Sequence, residues 1–170
     1  VVKPEGAFHI AIEEVPVPRI SESQILIRTD RTLISCGSEI WRRYVRPEAI
    51  DHRMMGYSLV GSVVEVGDRV TGFSPSDRVA ALSPHGEYVA VEVVESKYRP
   101  PMVHLPEGAS VDAGTFWPLL TSSVLWMWEI DALHGCTVVI LGQGLVGSLC
   151  MQVLKAEAAV RVVAVDRLGL

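Results

Sequence analysis

A glycine-rich turn between two valine-rich segments constrains the C-terminal part of this chain more than any other feature. The segment "TVVIL" at 137–141 predicts a buried strand, and "RVVAV" at 161–165 predicts a second one. Between them, Gly142, Gly144 and Gly147 give the spacing G-x-G-x-x-G at the opening of a predicted helix of about a dozen residues. Strand, turn, helix and strand in this order predict a right-handed βαβ unit.

Each glycine in this spacing has a physical role in binding a dinucleotide. The first permits a tight turn, the second lets the backbone approach a pyrophosphate, and the third lets helix and strand pack closely. Leu145 and Val146 lie in the first helical turn, where amide groups can donate to phosphate oxygens. Asp166 follows the second strand, where its carboxylate can accept hydrogen bonds from ribose hydroxyls, which predicts NAD. Arg167 keeps NADP possible because it can pair with a 2′-phosphate, and a turn that binds no dinucleotide is the alternative.

The earlier part of the chain carries the pattern of a mostly β domain. "QILIRTD" alternates at Ile25 and Ile27, and "LVGSVVEVGDRVTGF" and "EYVAVEVVE" are Val-rich runs divided by turn residues. After "HLPEGAS" the chain becomes rich in Leu, Trp and Ala, which predicts a linker helix with Ser110 as a candidate N-cap. Pro118 should kink or divide that helix. We therefore predict a β domain over 1–109, a linker helix region over 110–134 and the start of a dinucleotide-binding domain over 135–170.

Composition excludes several classes of partner. The 15 basic and 20 acidic side chains are scattered and give a net charge of -5, so neither nucleic acid nor an anionic membrane is expected to bind. The stretch from Ala132 to Leu154 carries no charged residue and is long enough to span a bilayer. Glycines, Gln143 and His134 interrupt it, so we predict no membrane span. Three cysteines without a CxxC pair are typical of a reduced, cytoplasmic protein.

The βαβ unit also predicts a longer protein. A lone βαβ unit cannot cover both faces of a parallel sheet, and parallel sheets need that cover. The first residues, "VVKPEGAFHI", contain neither an initiator methionine nor a signal-peptide pattern. We therefore expect this chain to be the front portion of a longer protein. The fragment by itself is expected to be inactive because half of the cofactor pocket would be missing.

Five motifs in this order resemble the medium-chain dehydrogenase/reductase superfamily, which includes zinc alcohol dehydrogenases and zinc-free quinone reductases. They are "CGSE" at 36–39, similar to Cys-Gly-Thr-Asp, "GYSLVGSVVEVG" at 56–67, in place of a Gly-His-Glu signature, "SDRVA" at 76–80, "LPEG" at 105–108, and "VVILGQGLVG". The resemblance covers essentially the whole chain. It implies a mostly β GroES-like barrel domain that carries the catalytic residues, followed by the first βαβ unit of a truncated α/β Rossmann domain. It also implies that the full-length protein is a homo-oligomer.

The resemblance places the three ligand positions of a catalytic zinc at Cys36, Tyr57 and Trp117. Only the cysteine is a usual ligand, because tyrosine rarely binds zinc and the indole nitrogen has no lone pair to offer. Ser58 replaces the acidic residue that follows the histidine ligand in the family, and no cysteine lies between Cys36 and Cys136 to build a four-cysteine structural site.

No zinc is therefore expected in this protein. The alternative is a non-standard metal site made of His52, Cys36 and Glu39, although a lone histidine is more often a solvated surface residue.

Without zinc, another group must stabilise or protonate the substrate oxygen. Ser38 matches the Ser/Thr of the family that relays a proton, and the Tyr57 phenol can donate to a carbonyl oxygen. The alternatives are a turn serine that binds its own backbone at position 38 and an aromatic filler of the vacated metal cavity at position 57.

The resemblance also assigns the remaining pocket positions. Phe116 and Trp117 are expected to line the substrate pocket or else to pack within the linker helix. Cys36 would be a residual ligand or a small buried filler beside that pocket. Thr121 matches a position near the nicotinamide. His85, in "SPHGEY", receives no role.

Together these residues predict an NAD(P)-dependent, alcohol dehydrogenase-like oxidoreductase that transfers hydride between nicotinamide and a small alcohol or carbonyl substrate. Two alternatives remain open from the sequence. One is a zinc-free quinone or enone reductase, and the other is a non-catalytic dinucleotide-binding remnant that kept the fold.

Overall fold

The computed structural model describes residues 1–94, 100–130, 135–157 and 160–168. The chain divides into two compact units, Val1–Trp117 and Pro118–Leu170. This division falls inside the region 110–134, which the sequence predicts as a linker, and residues 131–134 of that region lie outside the described ones.

Five strands of the first unit form one antiparallel sheet. The strands are β1 (Gln24–Thr32), β2 (Leu59–Val66), β3 (Arg78–Ala81), β4 (Tyr88–Glu92) and β5 (Met102–His104). Their order is β4-β1-β2-β3-β5, so β1 and β2 are central, and β4 and β5 are the edges of the sheet within the described part of the chain. The predicted mostly β character of this region is confirmed.

The alternating pattern of β1 places its isoleucines in the main core. Ile25 and Ile27 are fully buried and stand opposite Val66 and Val63 of β2. On the other side of β1 the same two isoleucines pair with valines of β4. Successive side chains of a strand point to opposite faces, so this register collects the apolar residues on one face of the sheet. The buried core cluster consists of Ile25, Ile27, Leu59, Val63, Val79, Ala81, Val89, Val91 and Met102.

The first helical turn of the linker region packs on the opposite face of the sheet. Helix α1 (Val111–Gly114) is capped by Ser110, whose hydroxyl accepts a hydrogen bond from the N–H of Ala113, as predicted. Gly114 lies so close to β2 that an added Cβ would stand 2.8 Å from a methyl group of Val60. A larger residue at position 114 would have to displace the side chains of Val60 and Leu105.

Two further helical segments lie between β1 and β2. A π-helix covers Cys36–Tyr44, and a 3-10 helix of one turn covers His52–Met54. The π-helix begins directly after the core strand β1, so it holds the "CGSE" motif beside the sheet.

The second unit contains the predicted βαβ arrangement. It comprises α2 (Trp117–Trp128), β6 (Thr137–Leu141), α3 (Leu145–Glu157) and β7 (Arg161–Val165). β6 and β7 are parallel, with Val139 opposite Val163. The predicted division of the linker helix is also confirmed: α1 ends at Gly114, α2 begins at Trp117, and Pro118 occupies the first turn, where its missing N–H costs nothing.

None of the helices in the described residues combines the length and the apolar character that crossing a bilayer requires.

Two neighbouring valines of β2 provide a matched test of the core assignment. Val63 is 3% exposed and belongs to the core, whereas Val64 is 45% exposed on the opposite side of the same strand. Val63→Ala should lower the free energy of unfolding by about 2 kcal/mol, because it removes two buried methyl groups and leaves a cavity. Val64→Ala should cost about 0.5 kcal/mol or less. Urea unfolding of both variants measures the difference, and equal costs would contradict the register.

Candidate active site

The "CGSE" motif is fixed by a reciprocal cap at the start of the π-helix. The Ser35 hydroxyl accepts a hydrogen bond from the N–H of Ser38 at 3.1 Å, and the carboxylate of Glu39 accepts one from the N–H of Ser35 at 2.7 Å. The arrangement resembles a capping box in which the acid lies one position later than usual. It turns the Glu39 carboxylate inward, and the residue is only 3% exposed.

A buried histidine meets this carboxylate from a distant part of the chain. The Nε2 atom of His85 lies 2.7 Å from Oε1 of Glu39, and both side chains are more than nine-tenths buried. Gly56 makes room for the histidine: its φ is +107°, and an added Cβ would collide with the backbone nitrogen of His85. That same nitrogen donates to the carbonyl of Met55 at 2.7 Å. No sequence pattern assigned a role to His85, so this contact is a finding of the structure.

The hydrogen bonds of Glu39 decide its charge. Burial disfavours the ionised carboxylate, but the hydrogen bonds from His85 and from the Ser35 N–H outweigh burial, and the charges of His85 and Arg43 add to them. The pKa of Glu39 is therefore below its usual range, and the group is ionised at neutral pH. An ionised carboxylate only accepts, so Nε2 of His85 carries the proton that lies between them. The other ring nitrogen, Nδ1, is buried without a hydrogen-bond partner among the described residues.

Tyr57 lies beside this pair. Its phenol oxygen is buried and has no hydrogen-bond partner in the described part of the chain. Burial, followed by the negative charge of Glu39, raises the pKa of Tyr57, and Cys36 adds to the effect. The Ser35 hydroxyl offsets part of this shift but does not meet the geometry of a hydrogen bond to the phenol. The phenol is therefore neutral over the physiological pH range and can serve as a hydrogen-bond donor.

The other predicted pocket residues lie in different surroundings. Ser38 is exposed and lines an open cavity of about 560 Å³ together with three arginines. Cys36 is also exposed, because it begins the π-helix, so the expectation of a buried filler is wrong. Phe116 directly precedes α2 and Trp117 is its first residue, and both are half-buried. Thr121, further along α2, is half-buried as well.

Ser58, which follows the expected ligand position at Tyr57, takes part in a structural hydrogen bond. The Ser58 hydroxyl is fully buried and donates to the carbonyl of Thr115 at 2.6 Å, which ties the start of β2 to the end of α1. Across the described residues, no group of three or more His, Cys, Asp or Glu side chains converges in a way that could hold a metal ion. The alternative site built on His52 is therefore wrong. That ring lies half-exposed beside Asp51, with 3.6 Å between Nδ1 and Oδ1.

The three glycines of the βαβ turn differ in what requires them. Gly142 has a φ of +91°, a left-handed conformation that favours glycine, and an added Cβ on Gly147 would collide with the carbonyl oxygen of Gly142. Gly144 has no protein atom within 4 Å of the position of a Cβ. The protein itself leaves that space open, directly before the first turn of α3, where backbone N–H groups have no intrahelical partner.

Asp166 closes the same turn. One oxygen of its carboxylate accepts a hydrogen bond from the N–H of Gln143 at 2.6 Å, and the other accepts one from Leu168 at 3.0 Å. These backbone hydrogen bonds, from Leu168 first, lower the pKa of Asp166. The carboxylate is exposed and ionised, and it directly follows β7, while its partner Gln143 lies two residues beyond the end of β6.

Curated proteins related to this chain are dehydrogenases and reductases. L-Threonine 3-dehydrogenase from Bacillus velezensis is 25% identical over 200 aligned positions, which cover 98% of this chain and 56% of that protein. Sorbitol dehydrogenase 1 from Saccharomyces cerevisiae is 30% identical, with coverage of 95% and 54%. The chain spans about half the length of the curated relatives it matches. No protein-family model matches it.

Solved structures of the same fold agree. Alcohol dehydrogenase TADH from Thermus sp. ATN1 matches with a TM-score of 0.80 at 20% identity, over 98% of this chain and 57% of that one. The quinone oxidoreductase from Coxiella burnetii matches with a TM-score of 0.71 at 18% identity, over 95% and 54%. The fold is thus that of a GroES-like domain with part of a Rossmann domain. The resemblance predicted from the motifs is confirmed: the chain is related to the zinc-type alcohol dehydrogenases and the wider medium-chain dehydrogenase/reductase superfamily.

Replacing Glu39 by glutamine tests the buried pair. Glu39→Gln removes a charged acceptor, so the free energy of unfolding at pH 7 should fall by about 2 kcal/mol. Because the folded-state pKa of Glu39 is depressed, its stabilisation is complete above the unfolded-state pKa and is lost as the pH falls through the folded-state pKa. The gap between wild type and variant should therefore shrink below about pH 4.

Urea unfolding at pH 7, 5 and 3.5 measures this gap. Glu65→Gln is the matched control, since Glu65 is exposed on β2 and should show little difference at any pH. If the difference in free energy of unfolding between wild type and Glu39→Gln is the same at pH 7 and pH 3.5, the ionised Glu39 carboxylate is excluded as its cause.

Proposed function

We propose that this chain contributes the catalytic residues and the first part of the cofactor site to an NAD-dependent oxidoreductase. The reaction is a hydride transfer between nicotinamide and a small alcohol or carbonyl substrate, without a catalytic zinc. The relatives of this chain include dehydrogenases and reductases, and the proposal assigns the same type of reaction to the whole protein.

The turn between β6 and α3 is the observation that carries the cofactor assignment. Gly142 forms the turn, Gly147 lets α3 pack against it, and no protein atom within 4 Å of a Cβ position on Gly144 blocks the approach of a phosphate to the backbone. The first-turn amides of α3, at Leu145 and Val146, supply donors to that phosphate. When bound, the nicotinamide dinucleotide supplies the hydride chemistry, and this turn holds its pyrophosphate.

Asp166 supports NAD over NADP. Its carboxylate is ionised and exposed, and the hydrogen bonds from Gln143 and Leu168 hold it at the end of β7. A fixed carboxylate accepts hydrogen bonds from two ribose hydroxyls but repels a 2′-phosphate. Arg167 is the adjacent group that keeps NADP possible.

Tyr57 supports the chemistry at the substrate oxygen. The phenol is neutral and buried, and no described residue satisfies it. A buried donor without a partner costs free energy, so a substrate oxygen that accepts from it gains the interaction that the protein leaves unmade. In the direction of carbonyl reduction, the phenol donates to the oxygen on which negative charge develops. Ser38 is assigned the relay of a proton from the exposed side of the π-helix.

The donor groups also support a reaction without zinc. Tyr57 and Trp117 stand at two of the three ligand positions that the family resemblance predicts, and neither is a usual zinc ligand. Glu39 does not replace these ligands, because no group of three or more His, Cys, Asp or Glu side chains that could hold a metal ion is found among the described residues.

Reduction of a conjugated enone or quinone is the second candidate function. A neutral phenol suits it, since the carbonyl oxygen of an enone needs a donor and no base to remove an alcohol proton. The fold match to a quinone oxidoreductase adds to this support.

The cofactor assignment predicts a change in preference when Asp166 is replaced. Asp166→Asn keeps an oxygen that can accept from Gln143 but removes the charge, so the preference for NADH over NADPH should fall about tenfold. Gly144→Val should weaken both cofactors about a hundredfold, because the side chain occupies the approach to the phosphate. Fluorescence titration of the purified protein measures both effects. Unchanged affinity in Gly144→Val would remove the turn from the site.

The chemical assignment predicts a loss of turnover when the phenol is removed. Tyr57→Phe keeps the ring but should lower kcat about a hundredfold, the usual contribution of a positioned proton donor. Tyr88→Phe is the control, because that tyrosine lies on β4, outside the site. The change in NADH absorbance, measured for the full-length protein at saturating alcohol, ketone or enone, gives kcat. Elemental analysis of the same preparation should find no stoichiometric zinc. Wild-type kcat in Tyr57→Phe, or activity lost to a zinc chelator, would refute the mechanism.

A further inference from the structure

The cavity beside Ser38 is strongly basic. Its lining consists of Ser38, Arg42, Arg43, Arg46, Glu48, Ile50 and Met54. Three arginines and one glutamate give the lining a net charge of +2, while the chain as a whole carries -5. A local reversal of sign within a concave site of about 560 Å³ concentrates small anions there.

One of the arginines is half-buried and carries a donor atom without a partner among the described residues. The Nη1 atom of Arg43 is inaccessible to solvent and makes no hydrogen bond to any described residue. Arg43 lines the cavity, and its charge also contributes to lowering the pKa of the buried Glu39. The guanidinium groups of Arg42, Arg43 and Arg46 form no ion pair with a carboxylate in the described ranges of the chain. A guanidinium with a desolvated, unsatisfied donor is costly unless an anionic acceptor is available to it.

The opposite wall of the cavity is held in place by the N-terminal segment. Lys3 is 1% exposed, and its ammonium donates to three backbone carbonyls, including that of Glu48 at 2.8 Å. The backbone of Lys3 also exchanges two hydrogen bonds with that of Ile50. The N–H of Phe8 donates to the backbone carbonyl of Tyr44, and the rings of the two residues pack edge-to-face. The segment that carries Glu48 and Ile50 is therefore fixed, and the buried Lys3 adds a further positive charge behind it.

We propose that this cavity binds the anionic oxygen group, a phosphate or a carboxylate, of the substrate of this oxidoreductase. Guanidinium groups pair with both anions through two parallel N–H donors, and three of them around one cavity match a multiply charged oxyanion. Ser38 belongs both to this lining and to the assigned proton relay. An anion bound by the arginines therefore leaves the rest of the substrate beside the Ser38 hydroxyl. The identity of the anion as substrate rests on the proposed function, whereas the binding of the anion does not.

Direct binding tests the cavity without any turnover. The purified protein is titrated calorimetrically with inorganic phosphate, and in parallel with acetate, at constant ionic strength. Arg43→Gln should weaken binding about tenfold or more, and Arg43→Lys should give an intermediate loss, because lysine keeps the charge without the fork. Tighter binding of phosphate identifies a phosphate ester as the substrate group, and tighter binding of acetate identifies a carboxylate.

Arg69→Gln is the matched control. It removes the same charge from an exposed arginine that pairs with Glu22 and does not line the cavity. Wild-type affinity is expected in this variant, and circular dichroism shows that all variants are folded. No saturable binding of either anion, or equal weakening by Arg69→Gln and Arg43→Gln, would overturn the proposal.

Turnover separates this inference from the proposed function. An alcohol and its phosphate monoester, or its carboxylate analogue, are compared by the formation of NADH. The anionic substrate should have a KM at least about tenfold lower, and Arg43→Gln should raise only that KM. Equal KM values for the neutral and anionic substrates would overturn the anion site and leave the oxidoreductase standing. Anion binding without turnover of any substrate by the full-length protein would support the cavity and refute the oxidoreductase.

Discussion

The hydrogen bond between Glu39 and His85 is the interaction on which the candidate active site depends. It joins the π-helix to the turn before β4, and Gly56 makes room for the imidazole directly beside Tyr57. A buried carboxylate is tolerated only when its oxygens are satisfied, and here the Ser35 N–H and the His85 imidazole each donate to one of them. The pair thereby fixes the positions of two segments that lie far apart along the chain.

The charge of this pair also sets the state of the phenol. An ionised Glu39 close to Tyr57 opposes a second negative charge, which adds to the effect of burial and keeps the phenol protonated. The neutral state of the phenol is thus the electrostatic consequence of burial and of the neighbouring carboxylate. In zinc enzymes the metal stabilises charge at the substrate oxygen; here we assign that work to the neutral hydroxyl of Tyr57.

The dinucleotide turn obeys a different kind of constraint. Its glycines are required by backbone geometry: a positive φ at Gly142 and a carbonyl that leaves no room for a side chain at Gly147. Asp166 connects the two ends of the unit because it accepts from the N–H of Gln143. The same carboxylate therefore stabilises the turn and lies where a ribose is expected to bind.

Local patterns in the sequence predicted the fold and the cofactor turn because both depend on short-range rules. Alternation at Ile25 and Ile27 predicted a core strand, the hydroxyl of Ser110 predicted a cap, Pro118 predicted the division of the helix, and three glycines predicted the turn. Motif order then predicted the superfamily. Tyr57 and Ser38 came from that resemblance, and their roles remain predictions.

Only the tertiary structure could bring together residues whose spacing carries no signal. His85 lies 46 positions from Glu39, and nothing in "SPHGEY" indicates a carboxylate partner. The packing of the π-helix and the N-terminal segment likewise decides that Cys36 is exposed and that arginines surround Ser38. It also leaves His52 outside any group of three or more metal-binding side chains among the described residues. Local rules fix what each segment becomes, because backbone geometry and hydrophobic periodicity act over a few residues. Which side chains share a buried site is decided by long-range packing, and with it the charge state on which the proposed chemistry depends.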